Sequence, residues 1–368
     1  MKKRGIIISI LLVVLPFLNG CWDQRLLRNG RLVFSSSFDL LDDETIRATA
    51  IIRDFKNGTP TNTLVQGEGK TIRETRMVMD RKISGAFEPS KNRIFLLGEE
   101  LAKEDIYKFL DIFYRDPNSS ISSKLAVVEG NGEDILSKLS EKNVLISEFM
   151  IELLTSAESA TGVPKQNLQT VCTLMFDEGK DFALPLLKLK DGEVILDGTG
   201  IFHKNSLSGA LTFKESSLFL IMNNQKAKLA RFVSKIDNDK RLNVDNYITY
   251  NVTESKSRLN IISDTPDHIQ VGIDVAMEVS IVEFPQDKLT DKKKLKKLND
   301  EISKKLTEDA EKMIEKIQLA NSDLFGIGRE LMAFHPKTWE KVNWDEAYPE
   351  ITIVPTIKVD IIGHGIIN

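Results

Sequence analysis

A change of periodicity in the last third of the chain constrains its fold more than any other feature of the sequence. From His268 to Phe284, apolar side chains alternate with more polar ones, which is the period of a strand with one buried face. From Asp291 to Leu319, apolar residues recur every three or four positions, which is the period of an amphipathic helix. The apolar positions are Ile269, Val271, Ile273, Val275, Met277, Val279 and Ile281 in the strand, and Leu295, Leu298, Ile302, Leu306, Ala310, Met313 and Ile317 in the helix. Together they predict a sheet with the long helix packed across one face.

The whole chain is predicted to be an α+β protein built from mixed α/β domains. Strand and helix patterns alternate up to Lys190, beginning with a hairpin formed by residues 31–41 and 45–55. From residue 196 onwards, mainly antiparallel strands surround the one long helix, and Asp197-Gly198 and Asn205-Ser206 are predicted turns. Pro355 marks the closing strand as an edge strand or a bulge.

These patterns predict an N-terminal domain over residues 21–190 and a C-terminal domain over residues 196–368. A further division of the second domain into lobes 196–262 and 263–368 stays open. The length of the chain exceeds that of one usual hydrophobic core, so two or three domains are expected.

The N-terminus has the pattern of a secretory signal. Lys2, Lys3 and Arg4 precede an apolar run from Ile6 to Leu18, which at 13 residues is shorter than the roughly 20 that a membrane-spanning helix requires. An ordinary signal peptide and an uncleaved short anchor are the alternatives to a lipoprotein signal over residues 1–20.

The residues at the end of this run favour the lipoprotein alternative. The stretch from Leu18 to Cys21 reads LNGC and resembles the lipobox of bacterial lipoproteins. That resemblance implies cleavage between Gly20 and Cys21, an S-diacylglyceryl group on Cys21, and N-acylation of the new N-terminus by a fatty acid such as palmitate. About ten residues separate Cys21 from the strand pattern at Arg31, and they reach at most about 35 Å. The folded part is therefore expected to work close to the membrane surface.

The charge of the chain argues against nucleic-acid binding, and its cysteine content argues against an internal disulfide. Loss of Lys2, Lys3 and Arg4 with the signal takes the formal charge from −4 to −7, which is unfavourable for binding nucleic acid. Cys172 has no partner once Cys21 carries lipid, so no disulfide within the chain is possible. Cys172 lies in an apolar stretch and is interpreted as a small core residue, with a reactive thiol as the alternative.

No catalytic, cofactor-binding or metal-binding set of residues emerges. Residues 67–71 read GEGKT, but Leu64 occupies the position where a phosphate-binding loop needs its first glycine, and no strand clearly precedes them, so we interpret them as a tight turn opening a helix. The acids Asp39, Asp42, Asp43 and Glu44 lack the spacing of a calcium loop and are interpreted as a polar hairpin tip. No zinc motif joins the four histidines His203, His268, His335 and His364. The chain is therefore not expected to be an enzyme.

Two features near the C-terminus have alternative interpretations. The basic cluster at Lys292, Lys293, Lys294, Lys296 and Lys297 is interpreted as a solvated helix face, with contact to anionic lipid headgroups as the alternative. Trp339 and Trp344 are interpreted as core residues rather than a partner surface.

Several stretches, taken in order, resemble the Ger(x)C family, the lipoprotein C subunits of bacterial spore germinant receptors. They cover nearly the whole chain and end in a segment that contains Phe325, Gly326, Gly328, Trp339 and Trp344. The stretches are GCWDQR from residue 20, GEGKTIRET from residue 67, the strand and helix of residues 94–117, residues 196–212, and the closing segment 323–365.

The resemblance implies a non-catalytic subunit, anchored by lipid on the outer, extracytoplasmic face of the spore inner membrane. It also implies assembly with two integral membrane subunits of the A and B type, one of them transporter-like, in a receptor that starts germination in response to small nutrients. The alternative is a solute-binding lipoprotein of an importer. That fold usually has two α/β lobes with crossover strands, whereas the C-terminal half here has mainly antiparallel patterns. The sequence does not identify the germinant.

Overall fold

The computed structural model describes residues 30–56, 58–142, 144–236, 242–287 and 289–365. Within these ranges the strands form two sheets. The larger sheet contains β1 Gly30–Leu40, β2 Ile46–Lys56, β3 Thr59–Gly69, β4 Ala86–Glu88, β5 Ile94–Gly98, β6 Lys124–Val128, β7 Ala183–Lys190, β8 Glu193–His203 and β9 Ser206–Thr212. The smaller sheet contains β10 Arg231–Lys235, β11 Tyr247–Thr265, β12 His268–Glu283 and β13 Thr352–Gly363.

The larger sheet has a parallel centre and antiparallel flanks. Its strand order is β3-β2-β1-β5-β6-β7-β8-β9, and β4 pairs with β1. Strands β1, β5, β6 and β7 run parallel, whereas β2 and β3 on one side and β8 and β9 on the other are antiparallel. All five residues of β5 are buried, as is typical of a parallel strand covered on both faces. The predicted hairpin is confirmed as β1 and β2.

Helices cover both faces of this sheet because the strands are apolar on both sides. One hydrophobic core contains apolar residues of the first three helices and the sixth, and the other core contains those of the fourth and fifth. The helices are α1 Ile72–Asp80, α2 Glu99–Lys103, α3 Ile106–Arg115, α4 Gly132–Glu141, α5 Ile146–Ser159 and α6 Leu168–Met175. A single 3₁₀ turn, Pro89–Lys91, links β4 to β5.

The smaller sheet packs against the long helix that the sequence predicts. Its remaining elements are α7 Phe213–Met222, α8 Lys292–Leu319, α9 Ile327–Phe334, α10 Pro336–Trp339 and α11 Trp344–Ala347, with 3₁₀ turns at Asn243–Asn246 and Tyr348–Glu350. All seven predicted inward positions of β12 are buried. In α8 the predicted apolar positions are buried from Leu298 onwards, and Leu295 is partly buried against the same core. The predicted α+β fold is thus confirmed.

A row of polar side chains on α8 accepts hydrogen bonds from backbone N–H groups at the edge of the smaller sheet. Among the described strands, β13 pairs only with β12, so Pro355 does lie in an edge strand. The N–H groups of Ile357, Val359 and Ile361 point away from β12. They donate to Thr307 Oγ1 at 3.2 Å, Ser303 Oγ at 2.9 Å and Asn299 Oδ1 at 3.1 Å, respectively. These three α8 residues are four apart and share a helix face. The helix therefore stabilises an edge that would otherwise offer unpaired donors to another chain.

Removal of this row should weaken the fold moderately. We expect Ser303→Ala combined with Thr307→Val to lower the free energy of unfolding by about 2 kcal/mol, since each net hydrogen bond contributes about 1 kcal/mol. Urea denaturation followed by far-ultraviolet circular dichroism would measure the loss. Lys304→Ala, an exposed position on the same helix, is the matched control and should change stability by less than about 0.5 kcal/mol. An unchanged double variant would contradict the structural role of the row.

The two predicted turns after residue 196 have different outcomes. The chain does reverse between β8 and β9, at Lys204 and Asn205. The turn predicted at Asp197-Gly198 is wrong, because both residues lie inside β8, where the pairing with β7 shifts register. A Cβ on Gly198 would lie 2.0 Å from the Leu211 carbonyl oxygen, so glycine is needed there for a bulge rather than for a turn.

The domain boundary at residues 190–196 stays a prediction. Strands β8 and β9, which follow it in sequence, pair with β7 and so belong to the larger sheet. A cut between residues 262 and 263 would pass through β11. The chain thus passes from one sheet to the other after Thr212, through α7.

Candidate functional site

The two sheets meet at a junction formed by three segments that are distant in sequence. The first is residues 177–182, which lead into β7, and the second is the turn between β8 and β9. The third is residues 322–329, which follow α8 and lead into α9. We call this set of contacts the sheet junction. It contains Phe325, Gly326 and Gly328 from the closing segment singled out in the sequence.

Asp323 is the buried centre of the sheet junction. Its Oδ1 accepts from the N–H groups of Gly326 at 2.8 Å and Ile327 at 2.9 Å, and its Oδ2 accepts from Gly328 N–H at 2.7 Å. The indole Nε1 of Trp344 lies 3.3 Å from Oδ2. Burial raises the pKa of Asp323 to about 7, with a contribution from the nearby Asp181 charge, while the backbone donors act in the opposite direction. The carboxyl thus organises the turn that begins α9.

Asp181 connects this turn to the larger sheet. Its Oδ2 accepts from Asp323 N–H at 2.8 Å, and its own N–H donates to the Asp323 carbonyl oxygen at 3.0 Å. Its Oδ1 accepts from Lys204 N–H at 2.6 Å. Nearby, the Ser322 hydroxyl donates to the Phe202 carbonyl oxygen at 2.5 Å. One aspartate side chain therefore joins all three segments.

Two glycines allow the backbones to approach closely beside Asp323. A Cβ on Gly328 would lie 2.9 Å from the Cα of Gly179, and a Cβ on Gly179 would lie 2.5 Å from Arg329 N. The approach is completed by a hydrogen bond from Arg329 N–H to the Gly179 carbonyl oxygen at 2.9 Å, and the Arg329 guanidinium pairs with Asp177. Any side chain at either glycine would push the two sheets apart.

Aromatic rings close one side of the sheet junction. The Trp344 ring lies 5.7 Å from that of Trp339 and 5.6 Å from that of Tyr348, between centroids. Tyr348 is fully buried, whereas both tryptophans are partly buried against the core of the smaller sheet. The predicted contribution of the tryptophans to the core is confirmed, although each indole keeps some contact with solvent.

An outer shell of charges surrounds the buried acid. His203 Nδ1 lies 3.6 Å from Asp181 Oδ2 and Nε2 lies 4.0 Å from Asp345 Oδ1, and Asp181 raises the pKa of this imidazole. Lys204 pairs with Asp345. These groups neutralise one another, so the sheet junction combines balanced surface charges with buried hydrogen bonds that connect the two sheets.

The predicted lipid attachment site lies outside the described residues. Cys21 and the cleavage point after Gly20 fall in residues 1–29, so lipidation stays a prediction. In the part of the chain that the structure describes, no helix is long and apolar enough to cross a membrane.

Residues 67–71 lie at the end of a strand and the start of a helix. Gly67 and Gly69 belong to β3, so the expectation that no strand precedes this segment is wrong. Thr71 caps α1 by accepting from Glu74 N–H at 3.1 Å, and Lys70 N–H donates to Glu74 Oε2 at 2.7 Å. The helix start that the sequence predicts is confirmed, and the side chains of Thr71 and Glu74 cap it.

Asp39 is not part of the hairpin tip. It is buried at the end of β1, where its Oδ1 accepts from Gly132 N–H at 2.6 Å and its Oδ2 accepts from Glu133 N–H at 3.0 Å. Burial raises the pKa of Asp39 to about 6. The carboxyl ends of parallel strands are where α/β folds bind anionic ligands, and here Asp39 occupies the helix N-terminus in place of one.

Burial decides the interpretation of Cys172, whereas the choice between a solvated helix face and lipid contact for the basic cluster stays a prediction. Cys172 on α6 is only partly buried, so the interpretation of it as a core residue is wrong, and burial raises the pKa of its thiol above the ordinary value. In the basic cluster, Lys292, Lys293, Lys296 and Lys297 are exposed, while Lys294 Nζ donates to the Gln286 carbonyl oxygen at 3.2 Å. The described residues contain no group of three or more His, Cys, Asp or Glu side chains arranged to hold a metal ion.

Sequence reasoning missed the residues at the centre of the sheet junction. Asp181 lies in none of the stretches singled out in the sequence, Asp323 begins the closing segment without a role assigned to it, and 142 positions separate the two. The available signal was local: an aspartate followed by glycines three and five residues later is typical of a carboxylate that caps a tight turn.

Comparison with known protein families gives matches over both halves of the chain. The spore germination protein N-terminal domain matches residues 23–189. The C-terminal domain described as spore germination B3/GerAC-like matches residues 197–365.

Individual proteins match over nearly their full lengths. Spore germination protein GerQC of Bacillus cereus is 23% identical over 367 residues and 99% of each chain. Spore germination protein B3 of Bacillus subtilis is 23% identical over 377 residues and 98% of each chain. The crystal structure of the GerBC protein superposes with a TM-score of 0.59 at 20% identity, covering 89% of this chain and 96% of that one. The fold is therefore of the GerBC type.

Proposed function

The chain belongs to the GerAC-like family of spore germination proteins, and from that membership we propose that it is a lipid-anchored, non-catalytic subunit of a nutrient germinant receptor. It resides on the outer, extracytoplasmic face of the spore inner membrane. There it assembles with two integral membrane subunits, one of them transporter-like. The nutrient class is that of small molecules such as amino acids, sugars or nucleosides.

One observation carries this proposal. The family matches begin at residue 23, so nearly all of the chain that precedes them is the basic start, the apolar run and Cys21. A lipid anchor directly before a family domain gives a protein that is tied to the membrane at one end. Two acyl chains hold such a protein stably, because each buried CH₂ contributes about 0.8 kcal/mol.

The sheet junction supports a role as one rigid subunit rather than two independent modules. Asp181, Asp323 and the Gly179–Gly328 approach connect the regions matched by the two family domains through buried hydrogen bonds. A subunit built in this way passes a displacement at one sheet to the other. That property suits a receptor component that responds to movement of its membrane partners.

We predict that Cys21→Ala abolishes lipidation and processing. Mass spectrometry of the wild-type N-terminus, isolated from spore membranes, should find cleavage before Cys21 and the added lipid mass. The Cys21→Ala chain should lack both. Cys172→Ala is the matched control, because it removes the other cysteine and should leave both features intact. An unmodified Cys21, or cleavage at another bond, would contradict the anchoring proposal.

Assembly is tested separately. Chemical crosslinking in spore membranes, followed by mass spectrometry, should join this chain to two integral membrane proteins. If the lipidated chain is recovered without any crosslink to an integral membrane protein, the receptor proposal is wrong even though the anchor is right.

A further inference from the structure

A wide groove lies between the larger sheet's helices and the segment that leads to the smaller sheet. Its walls are the C-terminal end of α5, the face of α6, and residues 225–228 between α7 and β10. The groove volume is about 1080 Å³, enough for a small organic molecule and its hydration water. We call it the lysine groove, because Lys124, Lys165, Lys226 and Lys228 line it.

The charge of the lysine groove is strongly one-sided. Glu158 is the acid among its lining residues, and it pairs with Lys124. That pair is largely buried, with side chains 9% and 17% exposed, respectively, and it forms the floor. Within the described ranges no ion pair joins Lys165, Lys226 or Lys228 to an acid, and Lys226 Nζ donates to the Ala227 carbonyl oxygen at 3.3 Å. Three cationic side chains in this groove therefore have no acidic partner, although the formal charge of the whole chain is −4.

The segment that carries two of these lysines is held in place. The Thr161 hydroxyl donates to the Leu229 carbonyl oxygen at 2.7 Å and accepts from Ala227 N–H at 2.9 Å. Leu229 N–H donates to the Ser159 carbonyl oxygen at 3.0 Å. Lys226 and Lys228 flank Ala227, so their backbone positions are set before any ligand arrives. Preorganisation of this kind lowers the entropy that binding loses.

Thr161 itself adopts a backbone conformation that is unusual for a branched residue. It is fully buried with φ +57°. Such strain persists where surrounding contacts fix it, and it concentrates at binding sites. Here its effect is to present the hydroxyl to both Ala227 and Leu229.

We propose that the lysine groove binds a small soluble anion carrying two or more negative charges, from carboxylate or phosphate groups. The ammonium groups supply the charge, and the hydroxyl of Thr155 in the lining offers a further donor. The groove is concave and its floor is the Lys124–Glu158 pair, so a molecule that enters it reaches groups that a flat lipid surface does not touch. A bound anion would bridge the regions matched by the two family domains, and the site does not depend on the receptor role.

Isothermal titration of the purified full-length lipoprotein in detergent tests the proposal, at low ionic strength and again at 150 mM salt. The probes are citrate, inorganic phosphate and, as a neutral comparison, glycerol. We expect saturable binding of one equivalent of citrate or phosphate and no binding of glycerol. The anion that binds with higher affinity shows whether the groove prefers carboxylate or phosphate groups. Lys226→Gln combined with Lys228→Gln should weaken binding at least tenfold.

The matched control is Lys293→Gln combined with Lys296→Gln, which removes the same charge from the exposed start of α8. It should leave the affinity within twofold of wild type. Equal loss in both double variants would show general charge attraction and overturn the proposal. Absence of saturable binding by both anions would overturn it as well, as would binding only to vesicles containing anionic lipid.

Discussion

Replacement of Leu306 by Asp should strongly destabilise the core of the smaller sheet. Leu306 lies in the middle of α8, is 0% exposed, and packs in the core formed with β12 and β13. An aspartate there would be buried among apolar side chains, and the described residues of that core include no cationic side chain. Burial of an unpaired polar or charged group costs several kcal/mol, a large share of the roughly 5–15 kcal/mol that stabilises an ordinary domain. We expect the melting temperature to fall by more than about 10 °C, because 1 kcal/mol corresponds to about 2–4 °C in a domain of this size.

The same helix provides the control. Leu319, the last residue of α8, is 80% exposed, so Leu319→Asp makes the identical chemical change in contact with water. Its expected cost is about 0.5 kcal/mol, from the unfavourable interaction of an acid with the helix C-terminus. Differential scanning calorimetry of both variants would compare them directly. Equal melting temperatures for the two variants would show that α8 does not pack as described.

Long regular patterns made the C-terminal half predictable. Strand β12 and helix α8 each bury one continuous face over many residues, so a period of two or of about 3.6 repeats often enough to be unambiguous. Pro355 was similarly informative, since a proline lacks the N–H group that an interior strand must donate.

Features that depend on distant pairing were not predictable. Asp197-Gly198 has the composition of a turn, yet pairing with β7 and β9 on either side holds it inside a strand. Asp39 resembles its exposed acidic neighbours in sequence and differs from them only because α4, more than 90 positions later, donates to it. The hydrogen-bonded row on α8 was hidden because Asn299, Ser303 and Thr307 belong to the polar background of an amphipathic pattern.

The sheet junction shows the same limit for function. Its glycines appear in the closing segment, but the partner glycine, Gly179, lies in a stretch that no motif marks. A local signal for a turn near Gly326 was present in the sequence, but only the packing of the two sheets shows what that turn contacts. The lysine groove is likewise assembled from positions 124, 165, 226 and 228, whose spacing has no sequence signature.

Asp323→Ala should be the most damaging substitution in the sheet junction. It removes the acceptor for the N–H groups of Gly326, Ile327 and Gly328, which are buried. Each such loss costs about 1–3 kcal/mol, so several kcal/mol is expected in total. Asp345→Asn is the control at the same junction. Asp345 is 45% exposed, and its ion pair with Lys204 should contribute less than about 1 kcal/mol.

The pH dependence of an Asp323→Asn variant would test the state of the buried carboxyl itself. Burial raises the pKa of Asp323 from 3.8 to about 7, so the folded chain holds this proton more tightly than the unfolded chain does. Its contribution to the free energy of unfolding is therefore fully present below about pH 4, declines as pH rises towards 7, and is constant above. Asparagine does not titrate, so the stability of the wild type relative to the variant should fall across that window. Guanidinium unfolding of both proteins between pH 4 and pH 8 measures this difference. A difference that stays constant, or grows as pH rises, would mean that the four surrounding donors hold the carboxylate ionised and that its pKa is not raised.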